Sequence, residues 1–196
     1  MTHRSPHDVT LRPSAWIERF ADLVPARARV LDVAAGTGRH ARFFAARGAQ
    51  VLAIDRDPDA LSALRGVAGI ETRVGDLEDV PWPLDRETFD AVVVTNYLHR
   101  PRLGDLVAAV SESGVLLYET FAAGNERFGR PSNPDFLLSD AELLDAVRPR
   151  LTVVAFEQGS IAGVRRAVVQ RLAAVGRQRA WPPPLPESAP RVDIAL

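Results

Sequence analysis

Three acidic residues follow apolar runs in close succession. Asp32 sits in the run Ala28 to Val33, Asp55 ends the run Gln50 to Ile54, and Asp76 comes two residues after Ile70 to Val74. The first acid is followed by Ala34-Ala35-Gly36-Thr37-Gly38, where a helical pattern opens. Glycines at such a turn let the backbone approach a ligand at the carboxyl end of a strand. A pyrophosphate seated at this helix start would meet the Asp32 carboxylate as a like charge, whereas a cationic ligand would be welcome.

That asymmetry separates two nucleotide cofactors. Gly36-x-Gly38-x-x-Ala41 satisfies the dinucleotide fingerprint, a pattern with little specificity on its own. S-adenosylmethionine has no phosphate and carries an ammonium and a sulfonium, so Asp32 favours it. Asp55, at the end of the second strand, can accept hydrogen bonds from both ribose hydroxyls under either reading. In Gly75-Asp76-Leu77 a carboxylate can accept from an adenine amino group, a backbone amide can donate to a ring nitrogen, and Leu77 can pack on the ring. Arg56 keeps an NADP-dependent oxidoreductase open as an alternative, because it would meet a ribose phosphate. A non-catalytic module that binds S-adenosylmethionine is the third reading.

Methyl transfer to an acceptor is an in-line displacement at an activated sulfonium, so alignment matters more than a strong base. His99, where the fourth strand releases the chain, is the candidate general base, or else a capping residue. Tyr97 would orient or stack on the acceptor, or simply pack. Phe121 and Arg127 are expected to meet the acceptor, and Glu119 either meets it too or is a solvated strand-end acid. Phe121 to Leu138 is a long aperiodic segment rich in Gly, Asn, Pro and aromatics, which suits a lid or a structural loop. Arg39 would lie near the cofactor carboxylate, and His40 is expected on the outer surface of its helix.

The elements that must hold these residues are legible from periodicity. Buried parallel strands are expected at Ala28 to Val33, Gln50 to Ile54, Ile70 to Val74, Phe89 to Thr95 and Gly114 to Glu119, with an antiparallel pair at Leu151 to Phe156 and Ala167 to Leu172. Helices are expected at Arg39 to Arg47, from Asp57-Pro58 to about Arg65, at Arg102 to Ser111 and at Asp140 to Val147. Pro81-Trp82-Pro83 breaks regular structure between them. A single α/β domain over 1–176 and an Arg/Pro-rich tail over 177–196 follow, the tail either disordered or laid over the domain.

Composition narrows the chemistry. The 196 residues contain no cysteine and only four histidines, which excludes disulfides, thiolate metal sites and a cysteine nucleophile and points to no metal. All 24 basic residues are arginine, so lysine chemistry is excluded, and the formal net charge is -1. Arg165, Arg166, Arg171, Arg177 and Arg179 cluster late in the chain, yet without aromatic interleaving they read as a solvated face and not as a nucleic-acid surface. The absence of an apolar run long enough to span a bilayer, and the polar start Met1 to Asp8, lead to the expectation of a cytoplasmic protein that binds a small molecule and no membrane.

Taken together, Val30 to Gly38, then Asp55, then Gly75-Asp76-Leu77, resembles the class I, Rossmann-like S-adenosylmethionine-dependent methyltransferases, of the compact small-molecule, tellurite-resistance-like type. The resemblance implies a seven-stranded sheet in the order 3-2-1-4-5-7-6 with the last strand antiparallel. It also implies a cofactor in contact with Asp32, Ala34, Gly36, Gly38, Asp55, Arg56, Asp76, Leu77 and Asn96. Many members carry a glycine where this chain has Ala34-Ala35. Asn96-Tyr97 bears a faint similarity to the Asn-Pro-Pro-Tyr motif of amino-group methyltransferases, without its prolines. Some compact relatives act on chalcogen oxyanions, and nothing in the residues selects an acceptor.

Overall fold

The β-branched runs pair into one seven-stranded sheet. In the computed structural model, which describes residues 12–78, 82–162 and 166–186, the strands are β1 (Arg29–Val33), β2 (Gln50–Asp55), β3 (Ile70–Val74), β4 (Phe89–Thr95), β5 (Val110–Phe121), β6 (Leu151–Ile161) and β7 (Ala167–Gly176). Their order is β3-β2-β1-β4-β5-β7-β6. Strands β1 to β5 run parallel, and β7 is antiparallel to both β5 and β6. This is the Rossmann-like methyltransferase sheet expected from the sequence. The polar start, Pro81, Arg165 and the tail beyond residue 186 lie outside the described residues.

Short helices cover both faces: α1 (Ala15–Phe20), α2 (Arg39–Ala46), α3 (Pro58–Ser62), α4 (Leu103–Ala108) and α5 (Glu142–Val147). Alternation along each parallel strand divides the core in two. Val30, Val51, Ala53, Ala91, Val93, Val115 and Leu117 face α1, α2 and α3, where they pack on Trp16, Phe20, Phe44 and Leu64. Leu31, Val33, Ile54, Val92, Val94, Leu116 and Tyr118 face the other way, onto Leu106, Leu143 and Val147 of α4 and α5. Strands covered on both faces explain the near-continuous apolar runs.

Several bounds differ from the periodicity, each for a local reason. The helix expected over Arg102 to Ser111 stops at Ala108, because Val110 and Ser111 already belong to β5. β6 runs on to Ile161 through the exposed polar residues Glu157 to Ser160, which an edge strand tolerates and an apolar pattern cannot reveal. α3 is short and begins as expected, with the Asp57 side chain accepting from the amides of Asp59 and Ala60 and Pro58 in its first turn. Just after β7, Arg177 donates to the carbonyls of Arg148 and Pro149 and Arg179 to those of Ser113 and Leu23. No helix among the described residues is long and apolar enough to cross a membrane.

α1 has no counterpart among the expected elements. Ser14 caps it by accepting from the Trp16 amide, and its short apolar stripe Trp16, Ile17 and Phe20 is fully buried. The Trp16 indole packs on Phe20 with ring centroids 4.5 Å apart and donates to the Leu172 carbonyl at 3.2 Å. Trp16 therefore fastens α1 to β7, on the side of the sheet shared with α2. Trp16→Ala is expected to lower the unfolding free energy by about 3–5 kcal/mol, measured by urea denaturation, with the denaturant slope unchanged.

Candidate functional site

Parallel pairing brings the carboxyl ends of β3, β2, β1, β4 and β5 level along one edge of the sheet. A cleft of about 360 Å³ runs along that edge, inside the size range of small-ligand sites. Asp76, Leu77 and Glu78 line it after β3, Asp55 and Arg56 after β2, Ala34 after β1, Asn96, Tyr97 and Leu98 after β4, and Thr120 and Phe121 at the end of β5. Pro131 and Phe136 close it from the segment after β5. Eight of the residues singled out in the sequence thus meet in one cleft.

The β1 turn is built by backbone conformation. Ala34, Gly36 and Gly38 all have positive φ, at 50°, 54° and 77°. Ala34 occupies the left-handed region at a residue type for which it costs roughly 1–2 kcal/mol, which gives a physical reason for a glycine near this point in the resembling family. Gly38 is required twice over, since a Cβ there would lie 2.4 Å from Leu64. The turn is tied to β2 by the Gly36 amide, which donates to Asp55 Oδ2 at 2.7 Å, while Asp55 Oδ1 accepts from the Asp57 amide at 2.9 Å. Both carboxylate oxygens are held and keep lone pairs toward the cleft.

Asp32 and His40 are placed differently from the expectation. Asp32 does not line the cleft. It is buried on the α2 face of the sheet, and its Oδ2 accepts from the Ala41 amide at 2.9 Å, anchoring the first turn of α2. His40 is buried beside it and is not on the helix surface. Its Nε2 accepts from the Ser14 amide at 3.1 Å, which places the proton on Nδ1, 3.4 Å from Thr95 Oγ1 and 4.0 Å from Asp32 Oδ1. Burial pushes the Asp32 carboxyl up to about 7, moderated by the Ala41 amide, and burial pushes the His40 imidazole down to about 3, helped by the Arg39 charge.

Three further residues meet partners outside the cleft. Glu119 is buried on the α1 side, where it accepts from Ser14 Oγ at 2.9 Å and pairs with Arg171 Nε at 2.5 Å. Strand alternation aims its neighbour Thr120 at the cleft, and the sequence reading missed this. His99 turns toward the β3 end, with Nδ1 3.7 Å from Glu78 Oε2, and does not line the cleft. Arg127 is exposed and donates from Nε to the Gly124 carbonyl of its own turn. Tyr97 lines the cleft with its hydroxyl buried and without a hydrogen-bond partner among the described residues, and burial next to Glu78 and Asp76 holds that hydroxyl above its usual range. Of the late arginines, Arg171 also lies 3.6 Å from Glu157, and Arg177 and Arg179 donate to backbone carbonyls of the domain.

A model of the methyltransferase domain matches residues 30–117, the stretch from β1 into β5. The match covers less than half of the 196 residues. An uncharacterised methyltransferase of Mycobacterium tuberculosis is 39% identical over 123 residues, which are 60% of this chain and 50% of the relative, and a Mycobacterium bovis methyltransferase matches equally. The chain therefore spans about half the length of the curated relatives it matches. Among solved structures, TehB of Haemophilus influenzae superposes with a TM-score of 0.66 at 16% identity, over 83% of this chain and 61% of TehB. An S-adenosylmethionine-dependent methyltransferase of Mesorhizobium loti gives 0.62 at 17%, over 84% and 99%. At these identities the structural likeness is one of fold. The sheet has the fold of the Rossmann-like methyltransferases.

The opposed shifts of Asp32 and His40 set a pH test. Between pH 7 and pH 5 the unfolded chain protonates His40 while the folded domain does not, so acidification removes stability through this group. Over the same window the folded domain protonates Asp32 while the unfolded chain leaves it ionised, so acidification adds stability. The two nearly cancel. Asp32→Asn keeps an acceptor for the Ala41 amide and removes the Asp32 contribution. Its unfolding free energy is expected to fall by about 2 kcal/mol more than that of the wild type between pH 7 and pH 5, read from urea denaturation at the two pH values.

Proposed function

We propose that the whole protein transfers a methyl group from S-adenosylmethionine to a small-molecule acceptor. The observation that carries this reading is the order of side chains along the cleft. Carboxylates stand at the β3 and β2 ends, the tight β1 turn follows, and an uncharged pocket opens past β4 at β5. The donor set fits the cofactor: three carboxylates against one guanidinium suit a cationic ligand and oppose a pyrophosphate. When bound, S-adenosylmethionine supplies a methyl group on a positively charged sulfur, which an acceptor lone pair displaces in line as the sulfur–carbon bond breaks.

The chain's own residues then bind and orient. Asp55, already fixed by the Gly36 and Asp57 amides, accepts from the ribose hydroxyls with its remaining lone pairs. Asp76 and the backbone beside Leu77 read the adenine, with Leu77 and Arg56 on either side of that end. Ala34 and Asn96 flank the methionine portion. Asn96, at φ 55° with its amide donating to the Glu119 carbonyl at 2.9 Å, marks where β4 ends and the acceptor half begins. Tyr97 and Phe121 border the reacting centre.

A general base is not part of this reading. His99 reaches toward Glu78 at the nucleotide end and Glu119 lies behind the sheet, so any acceptor proton leaves to water through the open cleft. Catalysis then comes from alignment and from the preformed cleft.

Asp55→Ala is expected to weaken S-adenosylmethionine binding by at least tenfold, on the scale of losing charge-assisted hydrogen bonds at about 1.4 kcal/mol per factor of ten. Calorimetric titration of wild type and variant, with circular dichroism to confirm the fold, measures it. Wild-type protein that takes up no S-adenosylmethionine would sink the reading.

A further inference from the structure

The cleft is strongly asymmetric in charge. Its formal charges, on Asp55, Arg56, Asp76 and Glu78, all lie at the β2 and β3 ends. The opposite end is lined by Thr120, Phe121, Pro131 and Phe136, which carry one hydroxyl, two aromatic rings and no charge. A small oxyanion in that half would give up its hydration without a cation among the described lining residues to receive it, and would face a net acidic cleft.

Arg100 and Arg171 are held elsewhere. Arg100 leaves β4 toward the segment above the cleft, where Glu142 engages its Nε at 2.7 Å and its Nη2 at 3.0 Å. The remaining donors of Arg100 reach the carbonyls of Asp135 at 2.8 Å and Leu137 at 2.7 Å. Arg171 is paired with Glu119 on the far side of the sheet. Arg130 is exposed and outside the lining.

The same Arg100 clamp acts on the aromatic wall. It holds the carbonyl on each side of Phe136, so the backbone of that residue is fixed while its ring stays 48% exposed at the mouth of the cleft. Phe136 is thus a positioned aromatic surface that the core does not use. A ligand with a flat face can stack there with little ordering left to do.

On the methyl-transfer reading, which this step requires, we propose that the acceptor is an uncharged molecule with an aromatic or other flat apolar face. It would seat against Phe121, Pro131 and Phe136, and Phe136 would be a determinant of specificity. Chalcogen oxyanions fall outside this class.

Protein saturated with S-adenosylhomocysteine, with that binding measured first, can be titrated with naphthol and separately with selenite in a calorimeter. Saturable naphthol binding is expected, with no saturable selenite binding. Phe136→Ala, a change at an exposed side chain, is expected to weaken naphthol roughly tenfold and leave S-adenosylhomocysteine affinity unchanged, and Phe136→Trp to retain naphthol. Selenite binding without naphthol binding, or naphthol affinity indifferent to Phe136→Ala, would overturn the acceptor class alone. Failure to take up S-adenosylhomocysteine would instead overturn the cofactor reading beneath it.

Discussion

The parallel pairing of β1 with β2 on one side and β4 on the other is the constraint on which the site depends. Register along these strands is continuous from Val30 to Val33 on both sides, so the turns after β1, β2 and β4 open at the same height. Parallel strands require crossovers over the faces of the sheet, and those crossovers leave the carboxyl edge open for a ligand. A one-residue slip of β1 would turn Asp32 to the opposite face and aim Leu31 at α2. The cleft, the cap of α2 and the docking of α1 all share that register.

Asp32 shows how one acid can serve the site without entering it. Its carboxylate is buried beneath the β1 turn and bonds the start of α2, so it shapes the loop beside the cleft. His40 continues the connection to Ser14 at the start of α1, and Ser14 reaches Glu119 and, through it, Arg171 of β7. These polar side chains form a buried layer between α1, α2 and the ends of β1, β4 and β5. Buried charge and polarity are costly unless paired, and here each partner comes from a different element. The layer therefore joins helices that contribute little area individually.

On the opposite side of the strand ends, Arg100 plays a comparable part with different chemistry. A guanidinium offers several donors in a fixed plane, which allows one side chain to engage a carboxylate on α5 and two backbone carbonyls of the segment above the cleft. The post-β5 segment is aperiodic in sequence, yet these bonds and the Asn125 side chain, whose Nδ2 donates to the Pro131 carbonyl at 2.9 Å, give it a defined path. The wall of the cleft is set by polar contacts behind it, and its inner surface remains apolar.

Much of this was legible in the residues alone. The alternation of apolar runs and amphipathic stretches determined the seven strands and their sheet, because strands covered on both faces must be continuously apolar. The acids at the strand ends and the glycines of the β1 turn pointed to the edge of the sheet where the cleft opens, since only small residues and αL-compatible backbone permit a close approach there. What the tertiary structure alone decided is the direction of each side chain at those ends. The two-residue period of β5 sends Glu119 to Arg171 and Thr120 to the cleft, His99 turns to Glu78, and His40 turns inward to Ser14. Each of these choices rests on a partner far away in the chain, which composition and spacing cannot reveal. α1 was invisible for the same reason: six residues carry too little periodicity, and its stability comes from Trp16 reaching a carbonyl on the last strand.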